Sequence, residues 1–179
     1  MTRVDFYVIP SADPSARLQV ACRLAEKAWR QGMRVYLHCA DEAQRSELDG
    51  RLWSFRGEAF IPHSLAEEDA EAPVALGLGE TPRNHRDLLI NLTLEAPGFV
   101  ANFSRVAELV VEEPAIRQAA RDKFRFYREQ GYPLQDHRLP RILSARPWTA
   151  TNRHNPRSSC SMIWSRSTTC STNGTSRPC

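Results

Sequence analysis

Val4-Asp5-Phe6-Tyr7-Val8-Ile9-Pro10 begins the chain's first regular segment and is followed by a helical run and a second apolar stretch. Its β-branched and aromatic residues predict a strand, and Pro10, which has no N–H to add to a ladder, stops it. Ser11 to Ser15 supply turn and cap residues. From Ala16 to Gln31 the apolar positions Leu18, Cys22, Leu24, Ala25, Ala28 and Trp29 recur at helical spacing, with Trp29 assigned to the core, and Gly32 stands where a helix ends. Arg34-Val-Tyr-Leu-His-Cys39 is a second strand, and a second helix runs from Asp41, its capping residue, to about Trp53. Strand, helix, strand, helix predicts a parallel α/β sheet, because parallel neighbours need a crossover and a helix supplies it.

Working outward, Phe60-Ile-Pro62 and Val74-Ala-Leu-Gly-Leu78 are short apolar runs with strand character, separated by the acidic, solvated Glu67–Glu71 segment. Asp87–Leu92 is a continuous apolar run with a polar start, as expected of a strand covered on both faces. The spacing predicts a helix over Phe99–Val106, a strand over Ala107–Val111 and a long helix from Pro114 to Gln130 that closes at Gly131. The whole reads as one three-layer α/β/α domain with a mainly parallel or mixed sheet over residues 1–142.

The chain has 179 residues, 41% of them hydrophobic, with 24 basic and 21 acidic side chains and a formal charge of +3. That charge is unevenly placed. Residues 143–179 hold Arg146, Arg153, Arg157, Arg166 and Arg177 and no acid, which leaves 19 of the 24 basic residues against all 21 acidic ones in residues 1–142, a net of −2. The same 37 residues contain 14 Ser or Thr and no apolar periodicity, so they cannot bury enough surface to offset their ordering entropy. They read as an unstructured basic tail, either genuine or produced by out-of-frame or vector sequence. No cysteine pair has zinc spacing and no apolar run is long enough to cross a membrane, so no metal, no cofactor and a soluble cytoplasmic chain with reduced thiols are expected.

Catalytic motifs fail on inspection. Gly77-x-Gly79 is followed by Pro82 where a dinucleotide fingerprint needs its third glycine. Asp41-Glu-Ala43 has no phosphate loop to serve, and His85-Arg-Asp87 lacks every other part of a kinase. His38 and Cys39 are adjacent in a strand, so their side chains point to opposite faces. A binding module is therefore expected, the rival being a small nucleotide-binding α/β enzyme.

The last helix is the most informative segment. At 100° per residue, Ala120, Lys123 and Tyr127 fall within about 40° of Ile116, and that stripe is expected to pack on the sheet. Arg117, Phe124, Arg128, Arg121 and Arg125 fall between about 80° and 180° from it. Four arginines around one ring suit an acidic peptide with an apolar residue; single-stranded nucleic acid is a poorer match, with only one ring to stack on. The other reading of this stripe is a solvated face laced by Glu113, Asp122 and Glu129. A second aromatic group, Leu52-Trp-Ser-Phe55 with Phe60-Ile-Pro-His63, is either an interface or core.

Several segments then match a known family in order and spacing from about Arg3 to Leu134. Val4-Asp-Phe-Tyr7, Ala28-Trp-Arg-Gln-Gly-Met-Arg-Val35, Asp41-Glu42, Leu52-Trp53, Phe60-Ile-Pro-His63 with Leu65, Arg86-Asp-Leu-Leu-Ile-Asn91, and Ala120-Arg121, Phe124-Arg125, Tyr127-Arg128 and Gly131 resemble the chi subunit of bacterial DNA polymerase III holoenzyme. The resemblance implies a non-enzymatic accessory protein of the clamp-loader assembly. It implies a heterodimer with the psi subunit, and binding of the acidic C-terminal tail of single-stranded DNA-binding protein, which ends in proline and phenylalanine. DNA would be reached only through that protein, and no membrane is involved. The tail-binding positions fall on Arg117, Arg121, Phe124 and Arg125, with Val110 beside them. Relatives can carry lysine or tyrosine where this chain has Arg117, Arg125 and Phe124, so charge and ring are kept and a hydroxyl is lost. The psi-facing positions fall on Trp53, Phe60, Pro62 and His63, a surface the resemblance also assigns to a helicase-like repair protein that competes with psi.

Overall fold

In the computed structural model, residues 1–54 and 60–140 are described; Phe55 and the segment 143–179, on which expectations were stated above, lie outside the described residues. In chain order the elements are β1 (Arg3–Val8), α1 (Ser15–Arg30), β2 (Val35–His38), α2 (Glu42–Ser54), β3 (His63–Leu65), β4 (Val74–Gly77), β5 (Leu88–Asn91), a 3-10 turn (Val100–Asn102), β6 (Arg105–Val110), α3 (Pro114–Glu129) and β7 (Leu134–Arg138). The strands form one seven-stranded sheet in the order β3-β4-β2-β5-β6-β1-β7, with every pair parallel.

The central strands β2, β4 and β5 are buried throughout, which is why they read as continuous apolar runs without alternation. One face packs α1 and α2 through Leu18, Cys22, Leu48 and Leu52 against Val35, Leu37, Val74 and Ile90. The opposite face packs α3 and the 3-10 turn through Ala120, Tyr127, Val100 and Phe103 against Val4, Phe6, Tyr36 and Leu89. Two apolar layers thus sandwich the sheet, and each fully buried aliphatic or aromatic side chain contributes about 1.5–3 kcal/mol of transfer free energy.

The local signals work as chemistry predicts. Asp41 Oδ1 accepts from the Gln44 amide at 2.7 Å at the start of α2, and the Glu113 side chain accepts from the Ile116 amide at 3.2 Å at the start of α3. Gly32 and Gly131 take φ of 76° and 78° after α1 and α3, a conformation that favours glycine. Gly77 has a packing role: a Cβ there would stand 2.0 Å from the buried Tyr36 hydroxyl.

Two expectations are corrected, and one strand is new. The helix over Phe99–Val106 reduces to Val100–Asn102, because Arg105 already pairs with both Arg3 and Leu88 and starts β6. The apolar run Phe60–Pro62 is not a strand; the ladder begins one residue after Pro62, at His63. The edge strand β7 carries no readable pattern, since Leu134-Gln-Asp-His-Arg138 is mostly exposed and polar.

Candidate functional site

On α3 the buried residues are Ile116, Ala120, Lys123 and Tyr127, the stripe predicted to face the sheet. Lys123 belongs there because it is paired: its Nζ donates to the Glu108 carboxylate and to the Thr93 carbonyl at 3.0 Å. Glu108 also accepts from the Tyr127 hydroxyl at 2.7 Å and from Asn91 Nδ2 at 2.9 Å. Burial, and then the Glu108 charge, push the Tyr127 phenol far up, so it stays a neutral donor.

With this stripe anchored, Phe124 of the arginine flank stands beside β1. The Phe124 ring stands 5.4 Å from the Phe6 ring and remains 40% exposed. Val110, half-buried at the end of β6, packs in the same apolar cluster. Val8 lies in register with Val110 on one side and Arg138 on the other, and is 37% exposed. By strand alternation Val8 shares the face of Val4 and Phe6, so an apolar floor of Val8, Val110 and Phe124 continues beside the basic stripe. Val8 was missed in the sequence although period two along β1 marks it; Arg138 was missed because β7 was.

Arg117, Arg121, Arg125 and Arg128 are exposed, and among the described residues no ion pair or side-chain hydrogen bond engages any of them. Two of the three acids that could have laced the stripe are engaged elsewhere: Glu113 caps the helix and Asp122 accepts from Gln118 at 3.2 Å. The positive charge on this flank is therefore available to a ligand.

The second surface lies at the β3 end of the sheet. Trp53 and Phe60 are 62% and 52% exposed, with ring centroids 5.0 Å apart, and the His63 ring stands 5.3 Å from Trp53 and 6.2 Å from Phe60. Their exposure removes the core reading, while Trp29 packs partly buried against the α1 core as assigned. Buried Ile61 pins the turn, Pro62 leads into β3, and His63 is held between the Ile61 carbonyl at 2.6 Å and Asp49 at 3.2 Å. A shallow groove of about 390 Å³ runs beside Trp53, His63 and Arg45.

Catalytic geometry is a separate matter. Among the described residues no group of three or more His, Cys, Asp or Glu side chains could hold a metal ion, and no helix is long and apolar enough to cross a membrane. Cys22 and Cys39 are buried, and burial pushes both thiols up to about 12, so neither is a nucleophile at neutral pH. Cys39 packs in the α1 core while His38 stacks on Tyr36 on the other face.

Comparison with known proteins decides the family: the model described as "DNA polymerase III chi subunit, HolC" matches residues 1–135. The chain belongs to the chi subunit family of DNA polymerase III. The chi subunit of Pseudomonas aeruginosa is 97% identical over 142 residues, covering 79% of this chain and 100% of that one. The chi subunits of Escherichia coli and Haemophilus influenzae are 37% and 35% identical, covering 75% and 73% of this chain and 96% and 92% of theirs. Membership in the chi family gives the chain a replication accessory role. Among solved structures, T4 UvsW has a TM-score of 0.54 at 7% identity, and domain 2 of the DEAD-box helicase Mss116p, bound to an RNA duplex, has 0.52 at 9%. Those matches cover 78% and 76% of this chain and 42% and 64% of the two solved chains, and the likeness is one of fold alone.

Proposed function

We propose that this chi-family chain is a non-catalytic bridge, holding the acidic C-terminal tail of single-stranded DNA-binding protein on one face and psi on another. The observation that carries it is the exposed Phe124 ring set among arginines that have no partner among the described residues. Planar guanidinium groups grip carboxylates bidentately, and the apolar floor of Phe124, Val110 and Val8 receives the terminal aromatic residue of the tail. Trp53 and Phe60, with Pro62 and His63, form the psi-docking surface, for which a helicase-like repair protein competes. Aromatic side chains this exposed in a soluble domain are typical interface anchors.

Bridging requires neither contact to be strong. Single-stranded DNA-binding protein presents several tails on the coated lagging strand, and tethering through psi to the clamp loader raises the effective concentration at the tail site. DNA is reached only through its coating protein, in the cytoplasm at the replisome. Isothermal titration with a peptide ending in Asp-Ile-Pro-Phe tests the tail site: Arg121→Ala is expected to weaken binding by about 1.5–3 kcal/mol, the size of a charge-assisted bond, and unchanged affinity rejects the site. For the other surface, Phe60→Ala is expected to abolish co-purification with psi while leaving the peptide affinity intact; psi that stays bound rejects it.

A further inference from the structure

β2 and β5 lie side by side in the sheet, yet the chain leaves them in opposite directions, from β2 through α2 toward β4 and β3, and from β5 through the 3-10 turn toward β6. Such a switch point opens a crevice beyond the carboxyl ends of the strands, where open α/β sheets bind ligands. Here it is a cavity of about 540 Å³ walled by Ala40, Gly79, Leu94, Pro97 and Phe99, with His38 of β2 at its base.

The hydrogen bonds fix the state of that imidazole. Asn91 Nδ2 donates to Glu108 and to the Glu95 carbonyl at 2.9 Å, and Asn91 Oδ1 accepts the Thr93 amide at 3.1 Å, so the amide orientation is determined. His38 Nδ1, 3.1 Å from Asn91 Oδ1, must then be the donor, which leaves Nε2 as an acceptor. Burial pushes the His38 pKa down, and the Asn91 bond only partly offsets this, so the ring is neutral at physiological pH. His38 is 7% exposed, yet no group among the described residues bonds Nε2; it faces the space beside Gly79, where a Cβ would stand 3.8 Å away. Glu95 on the rim is exposed and its carboxylate has no partner among the described residues. Among the described residues no cationic side chain lines the crevice.

We propose that this crevice binds a hydrogen-bond-donating cation, a guanidinium or primary ammonium group on an apolar stem. The head donates to His38 Nε2 and the Glu95 carboxylate, and the stem lies against Leu94, Pro97 and Phe99. The site is distinct from the basic flank of α3 and has the opposite ligand charge. Its ligand comes from one of two sources, a free small cation or the side chain of a partner protein.

Titration of the full-length, 15N-labelled chain with agmatine and, separately, with an acetylated Leu-Arg-Trp amide distinguishes them by backbone amide shifts. Saturable shifts at Gly79 and Thr93–Phe99 are expected. Shifts with agmatine identify a free cation, and shifts with the peptide alone identify a partner side chain. Glu95→Gln, at an exposed position that leaves the fold intact, is expected to weaken binding about three- to ten-fold, the range for one partly exposed charged contact. Arg23→Ala, at an exposed position of α1 outside the crevice, is expected to leave the titration unchanged. The proposal is overturned if neither probe saturates these amides, if the shifts spread over surface acids without including them, or if Glu95→Gln binds equally well.

Discussion

Lys123 sets the orientation of α3. Its ammonium, buried against Glu108, holds one stripe of the helix on the sheet, so that Phe124 stands beside Phe6 of β1 and the arginines are left exposed. Lys123→Met removes one partner of a buried ion pair and leaves Glu108 uncompensated, so urea denaturation is expected to show a loss of about 3–5 kcal/mol. Two buried histidines set a pH dependence. Burial pushes His38 and His85 below the ordinary 6.5, and the hydrogen bonds of His38 to Asn91 and of His85 to the Ala72 carbonyl offset this only in part. The unfolded chain therefore takes up protons first as pH falls, and the stability present above pH 6.5 is lost as pH drops through that value toward the folded pKa values. Denaturation midpoints measured from about pH 7.5 to 5.5 are expected to fall, and to fall less steeply in His85→Gln, whose amide can still donate to Ala72.

At the scale of elements, the sheet edge at β7 is tied by polar contacts. Asp5, buried in β1, is pushed up by desolvation but held below its usual range by His137 of β7, by Arg105 of β6 and by Arg3. The His137 ring also stacks on Tyr7 with centroids 4.9 Å apart. Removing the ring by His137→Ala is expected to raise hydrogen exchange at the Leu134–Arg138 amides at least about ten-fold while β5 and β6 stay protected, since edge elements open locally. Between β2 and β4, Gly77 admits the Tyr36 ring where a methyl group would overlap it. Gly77→Ala is expected to cost about 2–3 kcal/mol in chemical denaturation through overpacking. The glycine pair that suggested a dinucleotide fingerprint serves side-chain packing at position 77, and at position 79 it serves a backbone with φ of 123°.

For the whole molecule, the distribution of charge along the chain is what matters. Residues 1–142 carry a net charge of −2, so attraction to an acidic tail is local to α3 and strongly screened. Raising salt from about 0.05 M to 0.3 M is expected to weaken binding of the Asp-Ile-Pro-Phe peptide several-fold, mostly in the association rate. Deleting residues 143–179 removes five arginines and is expected to leave peptide affinity unchanged; a large loss would show that the segment contributes to the site. The two surfaces proposed for psi and for the tail sit toward opposite ends of the strand order, β3 on one side and β1 and β7 on the other, as the proposed bridge requires.

The parallel α/β class, most element positions and the buried stripe of α3 were legible in the chain, because apolar periodicity and capping chemistry are local. So were the residue types of both surfaces. Only the tertiary structure decided which charges are free: among the described residues Arg117, Arg121 and Arg125 have no partner, while Glu113 and Asp122 bond elsewhere, a fact of geometry that no spacing encodes. It also decided that Trp53 and Phe60 are exposed, that β7 completes the sheet, and that Val8 joins the floor beside Val110. The crevice at His38 belongs to the same class. It is built from the ends of β2 and β5 and the turn after β5, segments far apart in sequence that meet because parallel strands pair across long crossovers.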